Sequence, residues 1–139
     1  RSHRNENNPA GKYVNLIPIF NTVNELYFND SLKINGIGWT KQIVKSYYAN
    51  YSLTIGAINI NRAFDHSDVT GYVLEYLMFH ESLHSVFPPR MVNGRFVKHT
   101  QEFRRNEKLF AQYRISKEWL KKKGNRFINP SVLFRKIAN

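Results

Sequence analysis

The strongest constraint on this chain is one apolar stretch, residues 72–84, which carries the pattern His-Glu-x-x-His and is closed by two prolines. On an α-helix, four residues turn about 400°, so His80 and His84 lie on one face, one turn apart. Pro88 and Pro89 cannot continue this helix. The pattern therefore predicts a buried helix whose two imidazoles converge on one point.

Two imidazoles at this spacing can bind one metal ion, because Zn²⁺ accepts nitrogen ligands at about 2.0–2.1 Å. Glu81 lies about 100° round the helix from His80, beside the ion. A general base that takes a proton from water at the ion needs this position. We therefore predict a zinc hydrolase with Glu81 as its base. The alternative, a helix that carries two histidines by chance, is disfavoured because unpaired buried imidazoles are costly.

A catalytic zinc usually has three protein ligands and one open position. The metzincin pattern would need a glycine and a histidine where this chain has Phe87 and Arg90, so that pattern is excluded. The candidates for the third ligand are His99, Glu102 and Glu107. We favour His99, because imidazole suits zinc and completes a three-histidine site. Either glutamate could instead accept a hydrogen bond from a ligating imidazole.

A zinc hydrolase that attacks a carbonyl also needs a group that stabilises the developing oxyanion. Tyr113, Arg104 and Arg105 are candidates for this role, and the sequence does not choose among them. His66 is expected at the surface of a polar connection, and His3 is expected to be incidental.

The net charge of the chain does not identify the kind of partner that it binds. Lys+Arg 21 against Asp+Glu 10 gives a net charge of +11, a balance typical of proteins that bind nucleic acid or anionic membranes. Much of this charge falls late, at residues 104–105, 121–123 and 135–136. We favour solvated helix faces over a dedicated nucleic-acid surface, with a protein or peptide as the main partner. The oligomeric state is not determined.

Composition sets further limits. The 139 residues are 42% hydrophobic, enough for one core. Cysteine is absent, which excludes disulfides and thiolate metal sites. No run reaches the ~18 apolar residues of a membrane span, and no secretory pattern is visible. We expect a cytoplasmic protein, although a chain that begins with Arg1 can have a processed or truncated start.

Local patterns predict the elements around the histidine-bearing helix. Apolar residues recur at helical spacing over residues 16–27, and this helix is expected to end near Asn29. Strand-like segments follow at residues 37–40, 46–54 and 56–61. Gly56 is expected at the turn between the last two strands.

Turn and capping residues organise the C-terminal half. Residues 90–98 are predicted to form a loop with a turn at residues 93–94. A second amphipathic helix is expected to begin after Thr100 as its N-cap. After a break, a third helical segment is predicted to end at Gly124.

Together these residues resemble the SprT-like domains and the closely related minigluzincins, which are small zinc peptidases of the gluzincin type. The similarity runs over about residues 20–127. It includes residues 27–32 ahead of Trp39, residues 58–61, 76–84 and 99–103, and residues 110–113 followed by Trp119. The most specific part is His-Glu-x-x-His followed by His99 and, four residues later, Phe103. Ser82 departs from the pattern, since family members more often carry a bulkier residue there.

The resemblance implies a compact α+β single domain at residues 12–127. It would contain a backing helix, a small three-stranded mixed sheet, the His-Glu-x-x-His helix and a C-terminal helix that carries the third ligand. It also implies one catalytic zinc ion on His80, His84 and His99, with Glu81 as base. Residues 46–54 would form the sheet edge that binds substrate backbone as an added strand.

The chain ends are assigned separately. Residues 1–11 are expected to form a flexible N-terminal arm. Residues 128–139 are expected to form a tail, which in a latent zymogen would cover the cleft.

The predicted function is therefore a zinc-dependent endopeptidase, latent if the tail covers its cleft. Two alternatives stay open. One is an SprT-like protease that is recruited to DNA and cleaves proteins cross-linked to it, and its DNA affinity would fall steeply with salt. The other is a catalytically silent zinc-binding module. Glu81 argues against this module, because a structural site needs no base and normally closes its fourth position.

Overall fold

The computed structural model combines helices with a three-stranded sheet and a separate two-stranded hairpin. The structure describes residues 7–129. Its elements are α1 (Leu16–Phe28), β1 (Gly36–Trp39), β2 (Ala49–Ser52), β3 (Ala57–Ile60), α2 (Gly71–Val86), β4 (Arg90–Val92), β5 (Arg95–Val97), α3 (Gln101–Glu107), α4 (Tyr113–Trp119) and α5 (Asn125–Ile128). A 3₁₀ turn (Arg62–Phe64) precedes α2, and a π-helical turn (Leu120–Gly124) joins α4 to α5. The predicted α+β class is confirmed.

The three-stranded sheet is mixed, as predicted, with β3 at its centre. β3 pairs in parallel with β1 and antiparallel with β2. Ile58 lies opposite Ile37 on one side and Tyr51 on the other. Gly56 adopts a φ of 76° just before β3, a conformation that glycine reaches without steric cost. The glycine therefore allows the tight turn that the sequence predicted.

The first described residues lie along the outer edge of β1. The backbone N–H of Trp39 donates to the carbonyl of Asn8 at 3.0 Å. The carboxylate of Asp65 accepts from the backbone N–H groups of residues 12–14 at 2.6, 2.9 and 3.0 Å. Residues 7–11, assigned above to the N-terminal arm, are therefore tied to the sheet, while residues 1–6 lie outside the described part.

The core lies between the sheet, α1 and α2. α2 has buried residues around most of its circumference, which fits a helix enclosed by other elements. Tyr27 of α1 contacts the rings of Phe79 and Phe110, with centroids 4.8 and 5.3 Å apart. In residues 7–129, no helix combines the length and the apolar run that crossing a membrane requires.

The loop predicted at residues 90–98 is a β-hairpin formed by β4 and β5. Asn93 and Gly94 have positive φ values of 51° and 77°, as the two central residues of a type I′ turn require. Met91 lies opposite Phe96, and both side chains are exposed. The turn was predicted correctly, but the strands on each side of it were not.

Gly124 does not end the third helical segment, and this prediction was wrong. Its backbone is helical, with φ −55° and ψ −44°, and α5 continues to Ile128. A Cβ at this position would lie 3.0 Å from the Tyr48 hydroxyl oxygen and 3.1 Å from the adjacent ring carbon. The glycine therefore serves close packing between the π-helical turn and Tyr48. Ile128 is buried, so the core extends into the first residue assigned to the tail, and residues 130–139 lie outside the described part.

Candidate metal centre

Two elements bring three histidines together. His80 and His84 lie one turn apart on α2, and His99 lies directly before the Thr100 N-cap of α3. The Thr100 hydroxyl accepts from the Phe103 backbone N–H at 3.2 Å, which fixes the start of α3 and the position of His99. One ring nitrogen from each histidine lies within 4.8 Å of the others. The three histidines are therefore close enough to bind one metal ion.

Phe103 forms a wall against all three imidazoles. Its ring centroid lies 4.9 Å from His80, 4.5 Å from His84 and 4.8 Å from His99. The phenylalanine is completely buried, so it holds the rings in place and keeps water from this side. Its role as a packing wall explains why a large aromatic residue follows His99 by one helical turn.

Two of the three imidazoles, those of His84 and His99, are in the neutral form that binds metals. Burial lowers the pKa of His84 to about 3, and the neighbouring His80, His99 and Lys98 add to this effect. Burial, with the charges of His80 and Arg104, lowers the pKa of His99 to about 4. Both rings are therefore neutral near pH 7, with a lone pair available for a cation.

The donor set fits a zinc ion. Two nitrogen ligands at about 2.1 Å from one tetrahedral ion are about 3.4 Å apart. The Nε2 atoms of His80 and His99 are 3.2 Å apart. The Nδ1 atom of His84 is buried without a hydrogen-bond partner among the described residues. Three imidazole ligands suit zinc better than they suit magnesium or calcium, which prefer oxygen.

Glu107 orients the first of these ligands. Its buried carboxylate lies 2.6 Å from Nδ1 of His80 and also accepts from the Tyr76 hydroxyl. Burial raises the pKa of Glu107, but the hydrogen bonds from His80 and Tyr76 outweigh it and lower the pKa to about 2. An ionised carboxylate only accepts hydrogen bonds, so Nδ1 of His80 carries a proton and Nε2, which faces His99, is the atom left to bind a cation.

Glu102 has a different environment. It is exposed, and its carboxylate lies 3.6 Å from the guanidinium of Arg90 at the surface. Of the two glutamates considered as hydrogen-bond partners for a ligand, the structure therefore brings only Glu107 to an imidazole.

Replacing Glu107 by glutamine should lower zinc affinity about 10- to 100-fold, as loss of a hydrogen-bonded carboxylate behind a ligand typically does. The amide keeps the shape but not the charge that fixes the proton on Nδ1 of His80. Competition with a chromophoric chelator measures the affinity. Glu102→Gln is the matched control and should bind zinc as the wild type does. Equal affinity for both variants would show that Glu107 does not support the ligand.

Glu81 lies beside the histidine cluster. It is only 5% exposed, and its Oε2 is 3.9 Å from Nε2 of His80. Burial raises the pKa of Glu81 to about 7, against opposing effects of His80 and Lys98. A cation held by the imidazoles would lower this pKa by charge attraction. The carboxylate can therefore accept a proton near neutral pH.

A cavity of about 370 Å³ opens next to His80 and Glu81. It lies between α2, the start of β2 and the segment from α4 to the π-helical turn. Tyr48, Leu77 and Leu120 form much of its wall, and Lys117 and Lys121 also line it. The cluster is therefore accessible to a second molecule from this side.

The candidates for oxyanion stabilisation lie at different places. Tyr113 is half-buried against Tyr76, with ring centroids 6.1 Å apart. Arg104 is exposed but close enough to His99 to lower its pKa. Arg105 is exposed. His66 lies away from the cluster, where its Nδ1 accepts from the Asp68 backbone N–H at 3.0 Å.

Three further residues at the site were not predicted from the sequence: Tyr76, Tyr48 and Lys117. Tyr76 precedes His80 by four residues, so helical spacing alone placed it on the same face as the histidines. Tyr48 reaches the cavity from the residue before β2 and Lys117 from α4, and no local pattern in the sequence connects them with α2.

No protein-family model matches this chain, and no curated protein matches it in sequence. The similarity to SprT-like domains and minigluzincins therefore stays a prediction from the motifs. The chemistry of the site is inferred from its own residues.

Proposed function

We propose that this protein is a zinc-dependent endopeptidase. His80, His84 and His99 hold the ion, and Glu81 is the general base. The observation that carries the proposal is the convergence of three imidazoles beside a buried carboxylate, at the wall of an open cavity. A purely structural zinc site would have a fourth protein ligand, whereas this cluster has three among residues 7–129.

The residues of the chain divide the work of hydrolysis. When bound, zinc lowers the pKa of water and polarises the scissile carbonyl. Glu81 accepts the proton of the attacking water on a carboxylate oxygen and later delivers it to the leaving amine. Glu107 keeps the proton of His80 on Nδ1, so that Nε2 stays available. Phe103 excludes water from behind the three rings.

The sheet offers a place for the substrate backbone. Within the described residues, β2 is an outer strand of the sheet, paired only with β3. Ala49, its first residue, lines the cavity beside Glu81. An extended peptide that adds to β2 as a further strand would run past the candidate site. This arrangement supports internal cleavage of extended chains. β2 lies within residues 46–54, the segment predicted to bind substrate backbone.

The test is cleavage of an unfolded protein by the metal-free protein before and after addition of zinc. We expect one zinc per chain, no cleavage after chelation, and recovery with one equivalent of zinc. The control is protein treated with the same chelator in the presence of excess zinc. Cleavage that survives complete metal removal would contradict the proposal. Stoichiometric zinc without any cleavage would favour the silent zinc-binding module.

One observation favours a second candidate, a protease recruited to DNA. A groove beside His99 is lined by Arg95, Phe96, Lys98 and Arg104. Basic side chains next to an exposed aromatic ring suit phosphates and unstacked bases. The same cleavage assay with added DNA at low salt distinguishes the candidates, because only a recruited protease should be stimulated, and the stimulation should fall as salt is raised.

A further inference from the structure

The cavity beside the candidate metal centre has an uneven charge distribution. Leu77 and Leu120 contribute apolar surface, and Tyr48 and Tyr76 contribute rings. Lys117 and Lys121, one helical turn apart, line the same cavity and are exposed. The cavity therefore combines an apolar wall with two ammonium groups on one side.

The two lysines have no ion-pair partner within residues 7–129. Lys117 lies with its ammonium 5.5 Å from the ring centroid of Tyr113, a contact that limits its freedom. Glu118 of the same segment pairs instead with Lys122, 3.5 Å away. Among the described residues that line the cavity, Glu81 is the only carboxylate. Lys117 is close enough to the ionised Glu107 to lower the pKa of that carboxyl, but neither lysine is held in a direct ion pair.

We propose that Lys117 and Lys121 form a carboxylate-binding subsite that directs cleavage to bonds next to an acidic group. The chemistry that fits is a carboxylate on a short aliphatic stem. The stem packs against Leu77 and Leu120, and the carboxylate pairs with the ammonium groups. The acidic group is either a glutamate or aspartate side chain or the C-terminal carboxylate of a peptide. The effect on cleavage rests on the proposed peptidase function, whereas carboxylate binding does not.

Binding can be measured without cleavage, which separates the two proposals. The probes are fluorescent alanine peptides with both ends blocked, which carry one Glu, Gln or Lys in the middle. A fourth peptide contains only alanine and has its C-terminal carboxylate free. Binding to zinc-loaded Glu81→Gln protein is followed by fluorescence anisotropy at low salt. The Glu peptide reports a side-chain carboxylate, and the fourth peptide reports a terminal one.

We expect the Glu peptide or the free-carboxylate peptide to bind about tenfold more tightly than the Gln peptide, as two partly screened ion pairs allow. The preference should fall as salt is raised. Lys117→Gln/Lys121→Gln should remove it, and Lys117→Arg/Lys121→Arg should keep it. The matched control, Lys33→Gln/Lys108→Gln, removes the same charge from exposed lysines outside the cavity and should bind as the parent does.

Cleavage sites provide the second measurement. Mass spectrometry of an unfolded protein cut by the wild type should show acidic residues or chain ends beside the cleaved bonds. Lys117→Glu/Lys121→Glu should shift the cuts toward basic residues. If the wild type shows no preference for acidic residues or chain ends, and Lys117→Glu/Lys121→Glu cuts at the same sites, the subsite proposal is overturned. The peptidase function then still holds. Carboxylate-selective binding without any cleavage supports the subsite and overturns the peptidase function. Equal binding of the Glu, Gln and free-carboxylate peptides overturns the subsite.

Discussion

Glu81→Gln protein should retain its zinc and lose cleavage of an unfolded substrate by about 10²- to 10⁴-fold, the usual contribution of general acid–base catalysis. Glutamine has nearly the same volume, so the buried position next to His80 stays filled. An amide cannot accept the proton of the attacking water or return it to the leaving amine. The loss should therefore fall on the rate of cleavage rather than on the metal content.

Three measurements define this result. Elemental analysis gives zinc per chain, thermal unfolding reports the fold, and the initial rate of cleavage gives activity. Glu25→Gln is the control, because Glu25 is an exposed glutamate on α1. Undiminished cleavage by Glu81→Gln would remove Glu81 from the mechanism. Loss of zinc together with activity would assign Glu81 a role in holding the ion.

His99→Ala should weaken zinc binding on the order of 100-fold. The binding free energy of zinc at a site with four ligands is about 10–16 kcal/mol, so each ligand contributes about 3 kcal/mol. The deletion leaves His80 and His84, which belong to one helix turn and cannot complete a tetrahedral site. Glu107 does not readily replace the lost ligand, because its carboxylate is bound to His80 and Tyr76.

The affinity is measured by chelator competition, with His66→Ala as the matched control. That histidine lies outside the cluster, so its loss should leave zinc binding unchanged. If His99→Ala still bound one zinc as tightly as the wild type, the third ligand would have to be another residue. Addition of free imidazole should restore part of the affinity if the cavity left by the ring admits it.

Features that depend on short-range geometry could be predicted from the amino-acid sequence. The spacing of His80 and His84 fixes their common face on any α-helix. Gly56 and the pair Asn93-Gly94 mark turns that need positive φ, and both turns occur where they were predicted. Thr100 caps α3 as expected. These outcomes follow because backbone conformation and helical periodicity act over a few residues.

Contacts between distant elements were decided only by the tertiary structure. The sequence left Glu102 and Glu107 as alternatives, yet only Glu107 contacts His80, because α3 packs on α2 with that face inward. Gly124 was predicted to end a helix, but in the structure its lack of a side chain makes room for Tyr48. Lys117 lies 37 residues after His80 and reaches the same cavity. Local sequence patterns do not encode which faces of two elements meet, since that depends on how the whole core packs.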